Sequence, residues 1–490
     1  RVVRREVQRL EVVPVVLDLR TIGGLVAQPA EDLADAFQRA TDRVHAAAGG
    51  IAPRQGDVDG FAGQARVQRG RFQQLLTLGK RRPDGVAGAV DGLAHGLALV
   101  ARQGAERLLL PGLGAHARLH PPAPAVLVDL FAAVRAHLER FAPGGLRLGV
   151  LGADPTLRAA LAARLERWPQ CYPDAAADLP ADDVAVLSQA GIERLAQACA
   201  DLRARGAALI LTGEARYALA VDALGERGYP LVDLNLVYAR YALELDAAPR
   251  TQPRKIGVVG GVGPAATVDF TDKIVRNTPA GRDQDHVKLV IEMNPQIPDR
   301  TAHLVGDGVD PTGELYATCR QLELDAADFI AIPCNTAHAF VARVQPCLSI
   351  PVVNMLAETV AYIRARHPQC RRVGLLGTNG TIASRVYHDI VEAAGLEILV
   401  PDAEHQALVM RAIYGEHGVK AGFTSGPCRD DLMRALEHLV HRGAEVALLG
   451  CTELPLILAM DENFAVGDRR VVLLDPTTIL ARTCVALARA

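Results

Sequence analysis

The chain has 490 residues, of which 50% are hydrophobic and 22% charged, with a formal net charge of −3 at pH 7. Such a length predicts at least two domains with ample apolar material for their cores. The near balance of charge excludes a global basic footprint, so neither nucleic acid nor an anionic membrane surface is an expected partner. No uncharged apolar run of membrane-spanning length occurs, and the opening RVVRREVQRL lacks the apolar core of a secretory signal, which makes the cytoplasm the expected location. The chain opens on Arg1 rather than Met, so the expectation is a missing or misassigned start. Its 9 cysteines include no CxxC pair and no His-containing ligand spacing, which argues against a disulfide framework and against a zinc site; no metal is expected.

Residues 1–85 give the weakest pattern. VVPVVLDLRTIGG predicts a strand running into a turn at Gly23 and Gly24, and helical stretches fall near 30–47 and 68–78. The segment reads either as the first lobe of a domain or as an extension outside one. From about residue 86 strand-like and helix-like stretches alternate, and a long internal repeat emerges. ERLLLPGLGAHARL matches DFIAIPCNTAHAFV, which places Pro111 over Pro333 and His116 over His338. Four further matches follow in the same order, ending with PLVDLNLVYARYAL over VVLLDPTTILARTCVAL. Shared order predicts a tandem duplication: a first copy over 86–245, a Pro-containing linker over 246–254, and a second copy over 253–490. In this alignment Gly112 stands where the second copy has Cys334, and Glu214 where it has Cys451. His338 recurs in a copy without either thiol, so a structural role is expected for it.

The second copy carries the chemistry. KIGVVGGVGPAATVDF predicts a strand, a glycine turn at Gly260, Gly261 and Gly263, and a helix with Pro264 in its first turn. It has neither GxGxxG spacing nor GK[ST], so a tight turn admitting a ligand to backbone amides is the simpler use. AIPCNTAHAF and LLGCTELPLIL each predict a buried parallel strand, then a thiol with small polar residues, then a helix. A helix N-terminus behind each thiol would favour a thiolate and a bound carboxylate. Arg300 in NPQIPDRT offers a planar fork for a carboxylate, and Lys420 in GVKAG a point charge, although each cation taken alone reads as a solvated surface residue. Asp430 and Asp431 read as a solvated helix face, and the remaining cysteines as small core residues.

GGVGPAAT, NPQIPDRT, PCNTAHAF, GLLGTNGTIAS, VKAG and GCTE occur here in the order of one family. Residues 253–490 resemble the aspartate racemase branch of the aspartate/glutamate racemases, cofactor-independent enzymes of two pseudo-symmetric α/β lobes. The resemblance implies an α/β fold with largely parallel sheets. It also implies Cys334 and Cys451 as the acid/base thiols, and Arg300 and Lys420 as holders of the substrate carboxylates. Gln296, Asn335, Thr336, Thr378, Thr381 and Thr452 would line the site. Related glutamate racemases carry a DSGxGG-like loop and GCTH; GGVGPAAT and Glu453 stand here instead, which disfavours strict glutamate specificity.

Two thiols suffice for racemisation, one removing the α-proton and the other returning one on the opposite face. The implied reaction is interconversion of L- and D-aspartate without pyridoxal phosphate or any other cofactor. Alternatives are a broad aspartate/glutamate racemase, another isomerase or a decarboxylase of this fold acting on a small dicarboxylate, and an amino-acid-binding, regulatory role for the first copy. Relatives pair as homodimers, so a homodimer or an internal pseudo-dimer is expected. In the second copy the first lobe is predicted over 253–355, rejoined by the strand and helix near 471–489.

Overall fold

The computed structural model describes residues 113–118, 128–173, 179–180, 183–245 and 253–490. The N-terminal segment 1–85 and most of the linker therefore lie outside the described residues. Two compact units result: one holds the described residues up to 221 with 231–245, the other 222–230 with 253–490.

In chain order the first stretch gives α1 (Leu113–Arg118), α2 (Leu130–Phe141), β1 (Leu148–Leu151), α3 (Pro155–Arg164), β2 (Gln170–Cys171), α4 (Asp183–Leu187), α5 (Gln189–Ala204), β3 (Leu209–Thr212), α6 (Val221–Glu226), β4 (Leu231–Val232) and α7 (Leu234–Glu244). Its strands pair in parallel in the order β2-β1-β3-β4. Runs such as LGVL and LILT are buried at every position, as strands covered on both faces must be. Asp129, Asp154 and Asp233 each accept a backbone N–H in the first turn of the following helix, a cap that contributes about 1 kcal/mol.

The second unit has two lobes. The first contains β5 (Ile256–Gly260), α8 (Pro264–Asn277), β6 (Leu289–Met293), α9 (Arg300–Val305), α10 (Thr312–Leu324), β7 (Phe329–Ala331), α11 (His338–Val344) and β8 (Val352–Val353). Its sheet is parallel throughout, ordered β6-β5-β7-β8. The second lobe contains α12 (Met355–Arg366), β9 (Arg372–Leu376), α13 (Asn379–Ala383), α14 (Val386–Ala393), β10 (Glu397–Leu399), α15 (Ala403–Tyr414), α16 (Pro427–His441), β11 (Val446–Leu449), β12 (Asp461–Val466) and β13 (Arg469–Leu474). Its sheet runs β10-β9-β11-β13-β12, and only the edge strand β12 is antiparallel. The order β10-β9-β11-β13 repeats, element for element, the order β2-β1-β3-β4 of the first unit.

One expectation is corrected here. The strand near 471–474 does not rejoin the first lobe: β13 pairs with β11 and stays in the second. Only the helix after it, α17 (Pro476–Arg489), returns, burying Leu480, Cys484 and Val485 against Ile256, Val258 and Phe270 of the first lobe. Between strand and helix sits Asp475, almost wholly buried, whose carboxylate accepts from the Thr477 N–H at 2.9 Å and pairs with Lys273 of α8 at 2.7 Å. Asp431 is corrected as well. It is buried and holds the Arg411 guanidinium of α15 with both oxygens at 2.6 Å, whereas Asp430 is exposed. Among the described residues no helix is long and apolar enough to cross a membrane.

Candidate active site

Both marked thiols lie just past the carboxyl ends of central strands, one in each lobe of the second unit. Cys334 follows β7 by way of Ile332 and Pro333, and its N–H donates to the Ile332 carbonyl at 2.8 Å. The chain then turns for three residues before α11 begins at His338. The His338 Nε2 accepts from the Met355 N–H at 3.2 Å, so the proton sits on Nδ1 and is donated to the Cys334 carbonyl at 2.9 Å. Burial lowers the pKa of this imidazole and keeps it neutral. His338 thus fixes the backbone that carries the thiol, the structural part its recurrence in the sequence suggests.

Cys451 follows β11 and Gly450. The expected helix behind it is absent; residues Leu454–Leu456 form a single 3₁₀ turn. Charge at this thiol comes instead from side chains. The Sγ donates to Glu453 Oε2 at 3.1 Å, and Glu453 Oε1 is paired with the Lys420 ammonium. Burial drives the Cys451 pKa well up, the Glu453 carboxylate adds to the rise, and Lys420 opposes it. Lys420 feels burial against its charge, but Glu453 and Cys451 outweigh it and hold its pKa above the ordinary lysine value.

Cys334 and Cys451 line one cleft, partly open to solvent. Of the expected residues, Arg300, Asn335, Thr336, Thr378, Lys420 and Thr452 line it too. Thr381 lies just behind, wholly buried, 2.8 Å from the Thr336 hydroxyl and 3.1 Å from that of Thr378. Thr301 adds a fourth hydroxyl, 3.1 Å from Thr378, so a threonine chain ties the two lobes together along the cleft wall. Gln296 is not brought in. It is exposed, and its N–H donates to Asn294 Oδ1 within its own loop at 3.1 Å.

Arg300 opens α9, where the guanidinium donates to the Ile297 and Pro298 carbonyls at 3.1 and 3.0 Å. Burial works against its charge, yet Cys334 and Asp299 beside it hold the pKa above the usual value. Asp299, Thr301, Tyr414 and Glu453 line the cleft although sequence reasoning did not place them there. Glu453 had a signal in GCTE, and Tyr414 in its closeness to Lys420; Asp299 had none beyond adjacency to Arg300. The glycine turn also has a different use. Gly263 has φ +114°, and a Cβ there would collide with Glu453 Oε1, so the turn makes room for a carboxylate of the facing lobe.

A second cluster of ligating side chains, Asp402, His405 and His438, lies away from the cleft. Its imidazoles stack face to face, centroids 4.0 Å apart and 14° between planes. Each side chain offers one ligand atom, all within 4.8 Å of one another, and both imidazoles approach the Asp402 carboxylate, at 2.7 and 3.6 Å.

Residues 259–484 match the sequence model of the Asp/Glu/Hydantoin racemase family. Over 239 residues the chain is 27% identical to the broad specificity amino-acid racemase RacX of Bacillus subtilis, covering 47% of this chain and 96% of that one. A glutamate racemase of Mycobacterium leprae is 33% identical over 185 residues, 34% of this chain and 65% of its own length. Among solved structures, the aspartate racemase of Picrophilus torridus is 28% identical, covering 48% of this chain and 94% of that one with a TM-score of 0.42. The stretch that holds both thiols, Arg300 and Lys420, residues 259–484, belongs to the Asp/Glu/Hydantoin racemase family.

Proposed function

We propose that residues 253–490 racemise an amino acid by direct proton transfer between two thiols, with no cofactor, and that the substrate is acidic, L-aspartate first. The observation that carries this reading is that Cys334 and Cys451, from different lobes and different sheets, line one cleft. A thiolate on one side takes the α-proton and becomes a thiol; the thiol on the other gives its proton to the opposite face and becomes the thiolate. The order reverses for the other enantiomer. Charge that builds on the α-carboxylate would be met by Arg300, the Asn335 amide and the threonine hydroxyls, donors already in place before the proton moves. In this reading those donors take the place of an imine-forming electron sink, and the two thiols cover both proton transfers.

The test is α-proton exchange in heavy water, followed by chiral analysis of the product. Exchange and conversion of aspartate to the other enantiomer should be seen in the wild-type chain, and the conversion should fall below detection in Cys334→Ala and in Cys451→Ala, where the one remaining thiol can exchange the α-proton only with retention. Conversion that survives either substitution removes the two-thiol mechanism.

One observation favours a second reading, a broader substrate range. Lys420, the cation expected for a side-chain carboxylate, is already paired with the buried Glu453. An acidic side chain must displace that partner, whereas a neutral one need not. Comparison of kcat/KM for aspartate, glutamate and alanine decides: a preference for alanine removes aspartate as the substrate.

The duplication belongs to the same proposal. Its support is the repeated strand order, together with Glu214 standing past β3 as Cys451 stands past β11. The first copy then serves to bind an amino acid or to take the place of a dimer partner. Sedimentation of the full chain as a stable dimer joined only through its second copies removes the latter role. A cytoplasmic setting fits the described cysteines, all of which are free.

A further inference from the structure

The cleft contains one polar group whose orientation is fixed from outside it. Asn335, 1% exposed, follows Cys334 and lines the cleft, and its Nδ2 is buried without a hydrogen-bond partner among the described residues. A buried amide donor left unpaired costs free energy unless a ligand satisfies it. The other end of the same amide is held: the Tyr387 hydroxyl lies 2.6 Å from Asn335 Oδ1. That separation suits O–H···O and is short for N–H···O, so the phenol donates and the amide oxygen accepts. Tyr387 is wholly buried in α14, packed among Leu375, Val391 and Leu448 of the second lobe. Its ring therefore cannot follow a rotating amide.

We propose that Tyr387 is a positioning residue for catalysis: by holding Asn335 Oδ1 away from the cleft it presents Nδ2–H to the substrate carboxylate. If the amide turned over, a carbonyl oxygen would face that carboxylate and repel it. The hydrogen bond also spans the lobes, from the loop behind β7 to α14, so the amide points correctly only when the lobes are in register. This proposal rests on the amino-acid racemase reading above.

The experiment is a double-mutant cycle on the full chain with Tyr387→Phe, Asn335→Ala and both, reading the dissociation constant for aspartate by calorimetry and kcat/KM by exchange. Tyr387→Phe alone should weaken binding and lower kcat/KM about tenfold, the scale of one hydrogen bond to a charged group, with a smaller effect on kcat. In the Asn335→Ala background the same change should alter either quantity less than about twofold. Losses that multiply in the double variant overturn the proposal. Should Tyr387→Phe fail to fold, Asn335→Asp asks the same question with the tyrosine in place. One carboxylate oxygen still accepts from Tyr387 while the other faces the cleft, so aspartate should bind more weakly than to Asn335→Ala. Binding as tight as wild type overturns the proposal. A wild-type chain that neither binds nor exchanges any amino acid overturns this inference and the racemase reading together; wild-type turnover with multiplicative losses overturns this one alone.

Discussion

Cys451 shows how burial and two side chains can set one thiol. Burial and the Glu453 carboxylate raise its pKa, and Lys420 pulls the other way. Removing the carboxylate should therefore favour the thiolate twice over, by deleting a negative charge and by freeing the ammonium that it holds. In Glu453→Gln the alkylation of Cys451 by iodoacetamide should begin at lower pH than in wild type, and in Lys420→Met at higher pH, followed by mass spectrometry between about pH 6 and 11. An unchanged onset in Glu453→Gln would mean that the carboxylate does not act on the thiol. The sequence made Cys334 and Cys451 legible because each follows a buried strand and precedes small polar residues. Asp299 was not legible and Tyr414 only through its closeness to Lys420, because little that is local distinguishes a cleft residue from a surface one until the lobes face each other. Gln296 had the same want of a local signal: it is exposed and is not among the residues that line the cleft, whereas Arg300 of the same loop is.

At the scale of elements, periodicity carried the strands well: IGVVG, FIA and VALL are buried at every position, as covered parallel strands require. It failed where covalent order and packing diverge. LLDPTTIL reads as a strand flowing into a helix of one lobe, and the break at Asp475, where the chain leaves the second lobe for the first, is invisible in hydropathy. That residue caps α17 and neutralises Lys273, which also pairs with Asp269 on its own helix. Asp475→Ala should cost about 3 kcal/mol in urea unfolding, toward the low end for a broken buried pair because Asp269 still compensates the lysine. Asp269→Ala, whose carboxylate is less buried, should cost less. Equal costs would show that Asp475 acts only as a cap.

For the molecule as a whole, its buried thiols make stability depend on pH. Burial drives Cys319, Cys451 and Cys484 of the second unit far above the ordinary thiol value of about 8.5. Folded, they stay protonated where the unfolded chain ionises. Their contribution is thus complete below about pH 8.5 and is lost as the pH rises above it. With Cys370, pushed up to about 11, four such groups imply a fall of about 5 kcal/mol per pH unit above that value, to be read from urea midpoints under reducing conditions. A midpoint flat across the range would mean that these thiols ionise without unfolding.

The return of α17 to the first lobe also dictates when that lobe can be finished. Ile256, Val258 and Phe270 wait for Leu480, Cys484 and Val485, more than 200 residues later on the ribosome. The second lobe, from α12 to β13, has its sheet complete first. During synthesis the Cys451 half of the cleft can therefore form while the Cys334 half still lacks its covering helix, and the pair of thiols comes into being only as the last helix closes over the first sheet.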